Sequence, residues 1–454
     1  MKFKFLLPLC FILFVITASD LHYGTKLLTK PLPKDQDSEV RELSWQSTDD
    51  FEKYLLDHED KVSDLFAVDS FYYPNVNFWF MIYTQFDSSQ VLMHDREDLS
   101  IVYGVLDYTS LKDKGLTTNV LYELQSKISQ EKLKDLKERL KNLVKEPFDE
   151  SYESKPILRA LQQAKVVIPE SHKLRAELFK KLYQNVRTQT GQRNFIRDGI
   201  VRSLPYRKFI HNSFEKMKLP EELFAIPFLE SSFNPRAESK AAAAGIWQFM
   251  PLIASYYLPG RTSSTDYRFN IALSSLAAAH LLSENLRIMK SWDLAVTAYN
   301  SGTKHLLKTK RRLQDPAANL ETIIQNSDSE HFGFASKNFY SEFLALVHAL
   351  AYQEDLFSDL HESDRANVDD ELRFFLTKCS LKVSKTLKET ELEDVIYHNH
   401  HIKKPEESKP RGFILVSKIP LPKSHFFELP MNKVLKLKPK DWERELRNQS
   451  CSTR

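Results

Sequence analysis

The chemistry available to this chain begins with one carboxylic acid. Glu230 stands within the run Leu219 to Pro251, LPEELFAIPFLESSFNPRAESKAAAAGIWQFMP. Leu223, Ile226 and Leu229 recur at three-residue spacing and predict a buried helical face. Pro220 suits a first helical position, and Glu221 and Glu222 fall near the positive end of the helix dipole. Pro227 has no N–H to give and breaks or restarts the helix. Glu230 therefore arrives at the end of an apolar run, just before the turn signals Ser231-Ser232 and Asn234-Pro235. Burial there disfavours the charged carboxylate and raises its pKa, as a general acid working near neutral pH requires. A helix-ending Glu open to solvent has the same spacing, and position alone does not separate the two.

The neighbourhood does. Leu229 to Pro235, then Ser239, then Gly245 to Pro251 (GIWQFMP), are followed downstream by Ala298-Tyr299-Asn300-Ser301-Gly302. Three short groups in this order within about 75 residues are far more specific than any one alone. They resemble the Glu-Ser, Gly-Leu-x-Gln and Ala-Tyr-Asn signatures of lysozyme-like lytic transglycosylases. Thr188 to Gly199 (TQTGQRNFIRDG) adds a resemblance to the membrane-bound lytic transglycosylase D group. The resemblance covers Val186 to Tyr352 well and the rest of the chain loosely. It implies a lysozyme-like helical domain that cuts the β-1,4 bond between N-acetylmuramic acid and N-acetylglucosamine in peptidoglycan without water. One carboxylate, Glu230, acts first as acid and then as base, and a 1,6-anhydro end remains.

The same resemblance implies saccharide contacts for Ser231, Ser239, Gln248, Tyr299 and Asn300. It also implies a Tyr facing the site from a later helix; this chain has Phe339 at the aligned position and Tyr340 beside it. Successive helix positions lie about 100° apart, so Tyr340 replaces that hydroxyl only if the helix is rotated or shifted. Trp247 stands where the family often has Met, and either stacks on a sugar or packs the core. No metal or organic cofactor is implied. Two other functions compete. A goose-type-like muramidase would need a second carboxylate, with Glu238 or Asp266 the nearby choices. A non-catalytic peptidoglycan-binding protein would need none of the motif residues intact.

The elements that must position these residues are mostly helical. With 454 residues the chain is too long for one core, and only 10 are Gly. Its 64 basic and 61 acidic residues nearly balance, which argues against a nucleic-acid partner. Residues 1–19 have Lys2 and Lys4, an apolar run too short to span a bilayer and a small-residue exit, the layout of a signal peptide. Cleavage there predicts a periplasmic chain without a transmembrane span, possessing Cys379 and Cys451 as a pair that an exported protein could join.

In order, the expectation is an N-terminal region over residues 20–180, the transglycosylase domain over 181–360, a small module over 366–430 and a basic, frayed tail over 431–454. Phe51 to Phe66 predicts an amphipathic helix, and Val76 to Phe86 alternates with a period of two and predicts a strand. Val91 to His94 and Ile101 to Leu106 predict two more. The aromatic residues Phe71, Tyr72, Tyr73 and Trp79 fit a core better than a sugar platform. Helices follow over Leu116 to Val144, Pro156 to Val167 and Ser171 to Arg187. Asp266-Tyr267-Arg268-Phe269-Asn270 resembles an element that precedes the next helix in the family. Residues 303–330 read as a surface excursion, and His361 to Val368 as a linker. Leu392 to Asn399 with Pro410 to Leu415 resembles the second half of a LysM module, which binds glycan. Its first half lacks the usual Gly-Asp-Thr, so a small β/α packing domain fits as well. As a glycan binder it would raise affinity for insoluble wall without being needed for the chemistry. His398, His400 and His401 lack the carboxylate or Cys pattern of a metal site.

Overall fold

The computed structural model describes residues 41–43, 51–112, 114–115, 117–145, 154–327, 332–360 and 371–450. The signal segment, the expected linker, Cys10 and Cys451 lie outside the described residues. The chain is mainly α, with small sheets before and after the central helices in sequence, and forms two compact units. One comprises the described residues up to Arg197 with Leu344–Ser358; the other comprises Asp198–Phe343 with those from Asp359 onward.

In the first unit an antiparallel sheet has the order Arg41–Leu43, Val102–Asp107, Gln90–Asp95, Val186–Thr190. The expected strands near residues 91 and 101 are present. The expected strand over Val76 to Phe86 is not: Tyr73–Thr84 is a helix with Pro in its first turn. Its residues from Phe78 to Tyr83 are all buried, so apolar side chains fill every face and the alternation holds no information about period. Trp79 lies in that core against Phe78 and Tyr83. The amphipathic helix expected over Phe51 to Phe66 is cut short to Glu52–Leu55 and a 3-10 turn at Asp64–Phe66. Asp57, at φ 50°, turns the chain between them and accepts the N–H groups of Lys61 and Val62 at 2.9 and 2.8 Å. The helix His172–Asn185 gives way to the strand Val186–Thr190 where a longer helix was expected.

The second unit is built round the helix Ile271–Met289. Ala272, Ala277, Ala278 and Ala279 are fully buried along it, and small side chains let neighbouring helices approach closely. Trp292–Ser301 packs alongside, with the Asn285 amide donating to the Ala295 carbonyl at 3.2 Å. Residues 303–330 include two helices, Thr303–Arg312 and Leu320–Asn326, anchored by the buried Leu306 and Ile323. Beyond residue 371 an antiparallel sheet has the order Ile414–Ser417, Arg373–Thr377, Phe426–Glu428, with the helix Glu389–His398 packed on it. Arg373 grips Glu428 across two strands through two contacts of 2.7 Å. Cys379 is disulfide-bonded. No described helix is long and apolar enough to cross a membrane.

Two expectations about the C-terminal part change. The basic run Lys433 to Arg447 is not a frayed tail, since it forms the helix Met431–Lys436 and a 3-10 helix Pro439–Leu446. Val434, Trp442 and Leu446 are buried, and their spacing was hidden among lysines whose stems lie on the surface. Nor does this segment hang clear of the helix Ile271–Met289. Lys438 reaches Glu284 at 2.7 Å, and the same carboxylate accepts the Tyr257 hydroxyl at 2.6 Å. Trp442, whose Nε1 donates to the Leu437 carbonyl at 3.0 Å, tests this folded segment. Trp442→Ala should destabilise the protein by about 3–5 kcal/mol in chemical denaturation; a cost below about 0.5 kcal/mol, as for an exposed site, would contradict the burial.

Candidate active site

Glu230 sits in the last turn of a short helix, Ile226–Ser231, which begins where the 3-10 helix Glu221–Ala225 ends. Pro227 lies in the first turn of the new helix, where its missing N–H costs nothing. The helix stops at once because Ser232 and then Phe233 take left-handed backbone conformations, φ 50° and 55°. Two consecutive residues without a Gly in that region are costly and must be held by their surroundings. Phe233 is buried against Phe224 and Phe228, at 5.8 and 5.5 Å between ring centroids. Arg202 donates to the Ser232 and Phe233 carbonyls at 2.7 and 3.3 Å. A Cβ at Gly199 would come within 2.6 Å of the Ser232 oxygen, so the helix Arg193–Lys216 approaches this turn as only glycine permits.

This framework leaves the Glu230 side chain half-buried, with no hydrogen bond or ion pair to it among the described residues. Burial alone therefore raises its pKa, to about 8. The carboxyl is mostly protonated at neutral pH and is ready to donate. Its charge, once formed, reaches Tyr299, whose hydroxyl is pushed well above its ordinary pKa by burial first and by Glu230 second.

The opposite side is the turn Ala242 to Phe249. Ala244 and Phe249 exchange backbone hydrogen bonds at 3.2 and 3.1 Å, and Ala242 and Gln248 both have positive φ. Gly245, at φ 76°, packs its Cα directly on the Arg268 carbonyl, with no room for a Cβ. Ser231 ties helix to turn: its hydroxyl lies 3.0 Å from the Ile246 carbonyl and 3.2 Å from that of Pro227, and accepts from the Asn234 N–H at 3.1 Å. Tyr299 donates to the Trp247 carbonyl at 2.8 Å, which leaves its oxygen lone pairs for other work. Gln248 spends Nε2 on the Gly245 and Ala237 carbonyls, at 2.9 and 3.3 Å, leaving Oε1 without a hydrogen bond among the described residues. Ser239 accepts from the Ala243 N–H at 3.0 Å and closes its own loop. Asn300 accepts from Ser336 at 3.2 Å and keeps its Nδ2.

Not every expected residue joins this group in the same way. Ser231 and Ser239 serve the backbone of the site. Tyr340 is buried against Phe343, with burial and then the Asp293 charge raising its pKa. The Asp293 charge that reaches Tyr340 comes from the first turn of the helix that ends in Tyr299, Asn300 and Ser301, while Ser336, one turn before Tyr340, meets Asn300. Trp247 belongs to the core: it is fully buried and donates to Ser275 at 2.9 Å. Arg268 was missed as a site residue, although the DYRFN element contains it. Its guanidinium donates to the Ala242 and Phe249 carbonyls at 2.6 and 2.8 Å and pairs with Asp266 at 2.7 Å. Asp266 is thereby engaged and buried, and Glu238 is exposed. The three histidines go separate ways: His398 meets the Tyr206 ring and His401 the Tyr267 ring, while the Arg236 charge reaches His400. Among the described residues no group of three or more His, Cys, Asp or Glu gathers as metal ligands would.

The raised pKa of Glu230 is also a statement about stability. A carboxyl at about 8 when folded and near 4.5 when unfolded binds more protons in the folded state between those values. Stability is therefore greatest below the lower value and falls as pH rises through the window. Glu230→Gln removes this slope. The variant should match the wild type near pH 4 and exceed it by about 1–3 kcal/mol at pH 8, measured by thermal unfolding across pH. A constant difference would mean that the carboxyl is not desolvated.

Comparison with known proteins bears on the same residues. Residues 208–321 match the transglycosylase SLT domain model. Membrane-bound lytic murein transglycosylase D from Escherichia coli (strain K12) is 33% identical over 147 residues, 32% of this chain and 31% of the relative. The protein of that name from Escherichia coli O6:H1 gives the same values. A protein named for tributyltin chloride resistance, from Alteromonas sp. (strain M-1), is 32% identical over 117 residues, 26% of this chain and 56% of the relative. The chain thus spans 31% of the length of the first two curated relatives it matches. The matched segment holds Glu230, Ser239, Gln248, Tyr299 and Asn300, and the chain carries a transglycosylase SLT domain similar to that of a lytic murein transglycosylase of the D type.

Proposed function

We propose that the protein is a peptidoglycan lytic transglycosylase, with Glu230 as its single general acid and base. The observation that carries the reading is a partnerless, desolvated carboxyl inside the matched domain. Glu230 gives its proton to the glycosidic oxygen as the bond from muramoyl C1 breaks and the N-acetylglucosamine hydroxyl leaves. The carboxylate then takes the proton of the muramoyl C6 hydroxyl while O6 bonds to C1, closing the 1,6-anhydro ring and restoring the acid. Tyr299, its own proton given to the Trp247 carbonyl, offers lone pairs to the positive charge that develops at the ring. Gln248 Oε1 and Asn300 Nδ2 are the acceptor and donor left for sugar hydroxyl and acetamido groups.

A hydrolytic muramidase needs a second carboxylate about 5–9 Å from the acid. The two neighbours weighed for that role argue against it, since Asp266 is committed to Arg268 and Glu238 points into solvent. The substrate lies in the bacterial periplasm, and the bonded Cys379 fits an oxidising compartment of that kind.

Digestion of purified sacculi tests the reading through the chain ends it leaves. Anhydro ends are expected, and reducing ends would identify a muramidase. Glu230→Gln should lose at least about 10⁴-fold in rate, because one group performs both proton transfers. Glu238→Gln should keep at least about a third of the activity, as an exposed carboxylate would. Equal loss in both variants would overturn the single-carboxylate mechanism. The first step needs the protonated acid, so kcat/KM should fall as pH rises through about 8.

A further inference from the structure

The segment 264–270 is held on two sides. On one side stands the C-terminal module. The Lys403 N–H donates to the Ser264 carbonyl at 3.3 Å and the Asp266 N–H to the His401 carbonyl at 3.4 Å, while Thr265 and Ile402 form an antiparallel bridge. The Ile414 N–H donates to the Tyr267 hydroxyl at 3.2 Å, and the Tyr267 ring lies 4.6 Å from His401 and 5.6 Å from Phe413. Asn270 works at both ends. Its Oδ1 caps the helix Ile271–Met289 at the Leu273 N–H, 2.9 Å away. Its Nδ2 faces the His398 carbonyl, Asn399 Oδ1 and His401 Nδ1 at 3.1–3.3 Å. His401 completes the joint by turning Nε2 to the Ile414 carbonyl at 3.3 Å. Asn270, Asn399 and His401 are buried, so this is a polar joint with its partners satisfied, which favours one docking geometry over others.

On the other side stands the turn that faces Glu230. Arg268 holds the Ala242 and Phe249 carbonyls, and Gly245 packs on the Arg268 backbone. That turn presents the Ile246 carbonyl to Ser231 and the Trp247 carbonyl to Tyr299. Two of its residues, Ala242 and Gln248, hold left-handed conformations that persist only when the surroundings over-determine them.

We propose that the C-terminal module is a working part of the active site, with Asn399 and His401 as positioning residues. Through segment 264–270 they fix the Ala242 to Phe249 turn against which Glu230, Ser231 and Tyr299 are set. The proposal rests on the reading of Glu230 as the acid and base. It replaces the expectation that the module only adds affinity for the wall. A turn clamped on one face alone opens more often, and small displacements of positioned groups cost rate more than binding.

The test uses the full chain with His401→Ala, Tyr267→Phe and, as a control, the exposed Lys423→Ala. Amide hydrogen exchange at Ala244, Gly245, Gln248 and Phe249 is followed together with kcat and KM on soluble glycan fragments. His401→Ala should exchange about tenfold faster at these amides and lose about tenfold in kcat, with KM within about threefold. Tyr267→Phe should move the same way by less, and Lys423→Ala not at all. Exchange within about twofold of wild type in a folded His401→Ala protein overturns the proposal. Faster exchange with kcat unchanged overturns it too, since the joint is then structural only. If His401→Ala does not fold, Tyr267→Phe decides by the same two criteria. A wild-type chain inert on glycan would instead overturn the functional reading, while exchange still judges the coupling.

Discussion

The structure depends on a half-buried carboxyl that has no hydrogen bond or ion pair among the described residues. An isolated buried carboxyl normally finds a donor, because leaving it without one costs stability. Here the surroundings hold it half-buried with no partner, and the cost is met by accepting a proton. Burial is the one cause of its raised pKa, and among the described residues no hydrogen bond or ion pair offsets it. Arg202 is spent on the Ser232 and Phe233 carbonyls, and Arg268 on Asp266 and the 242–249 turn. These two guanidiniums hold the two turns in shape, and neither contributes to the Glu230 shift.

That arrangement requires backbone geometry few sequences tolerate. The helix carrying Glu230 ends immediately after it through two left-handed residues, and the facing turn contains two more that are not glycine. Each costs on the order of 1–3 kcal/mol if unsupported. The support comes from buried rings, from Gly199 and Gly245 at two close backbone approaches, and from arginine donors to the turn carbonyls. Strain concentrated at a site and balanced by packing around it is the pattern expected where a side chain must be held in place.

The same economy explains why the motif serines matter although their hydroxyls face protein. Ser231 and Ser239 hold the two turns closed, one against the Ile246 carbonyl and one within its own loop. On the function proposed above, substrate groups fall to residues with an unspent atom, Gln248, Tyr299 and Asn300. The C-terminal module enters this mechanical chain from the far side of segment 264–270, so a part of the sequence distant from Glu230 bears on its surroundings.

By itself the sequence indicated the kind of domain and the helical class. The order of Glu230, Gln248 and Tyr299-Asn300, and the proline and turn signals around them, are local features that survive as residue types and spacings. The helix-dominated catalytic region was legible for the same reason, since amphipathic spacing is written along the chain. Local pattern failed where burial was complete or disguised. Tyr73–Thr84 is apolar on all faces, so its period reads equally as strand or helix, and Trp442 sits among lysines that suggest a tail. Other features were decided only in three dimensions: that Asp266 is spent on Arg268, that Ser336 meets Asn300, and that His401 and Asn399 meet Asn270. Each is a pairing between side chains whose distance in space has no trace in their spacing along the chain. Desolvation of Glu230 is of the same kind, because it is the sum of what every neighbouring element fails to offer.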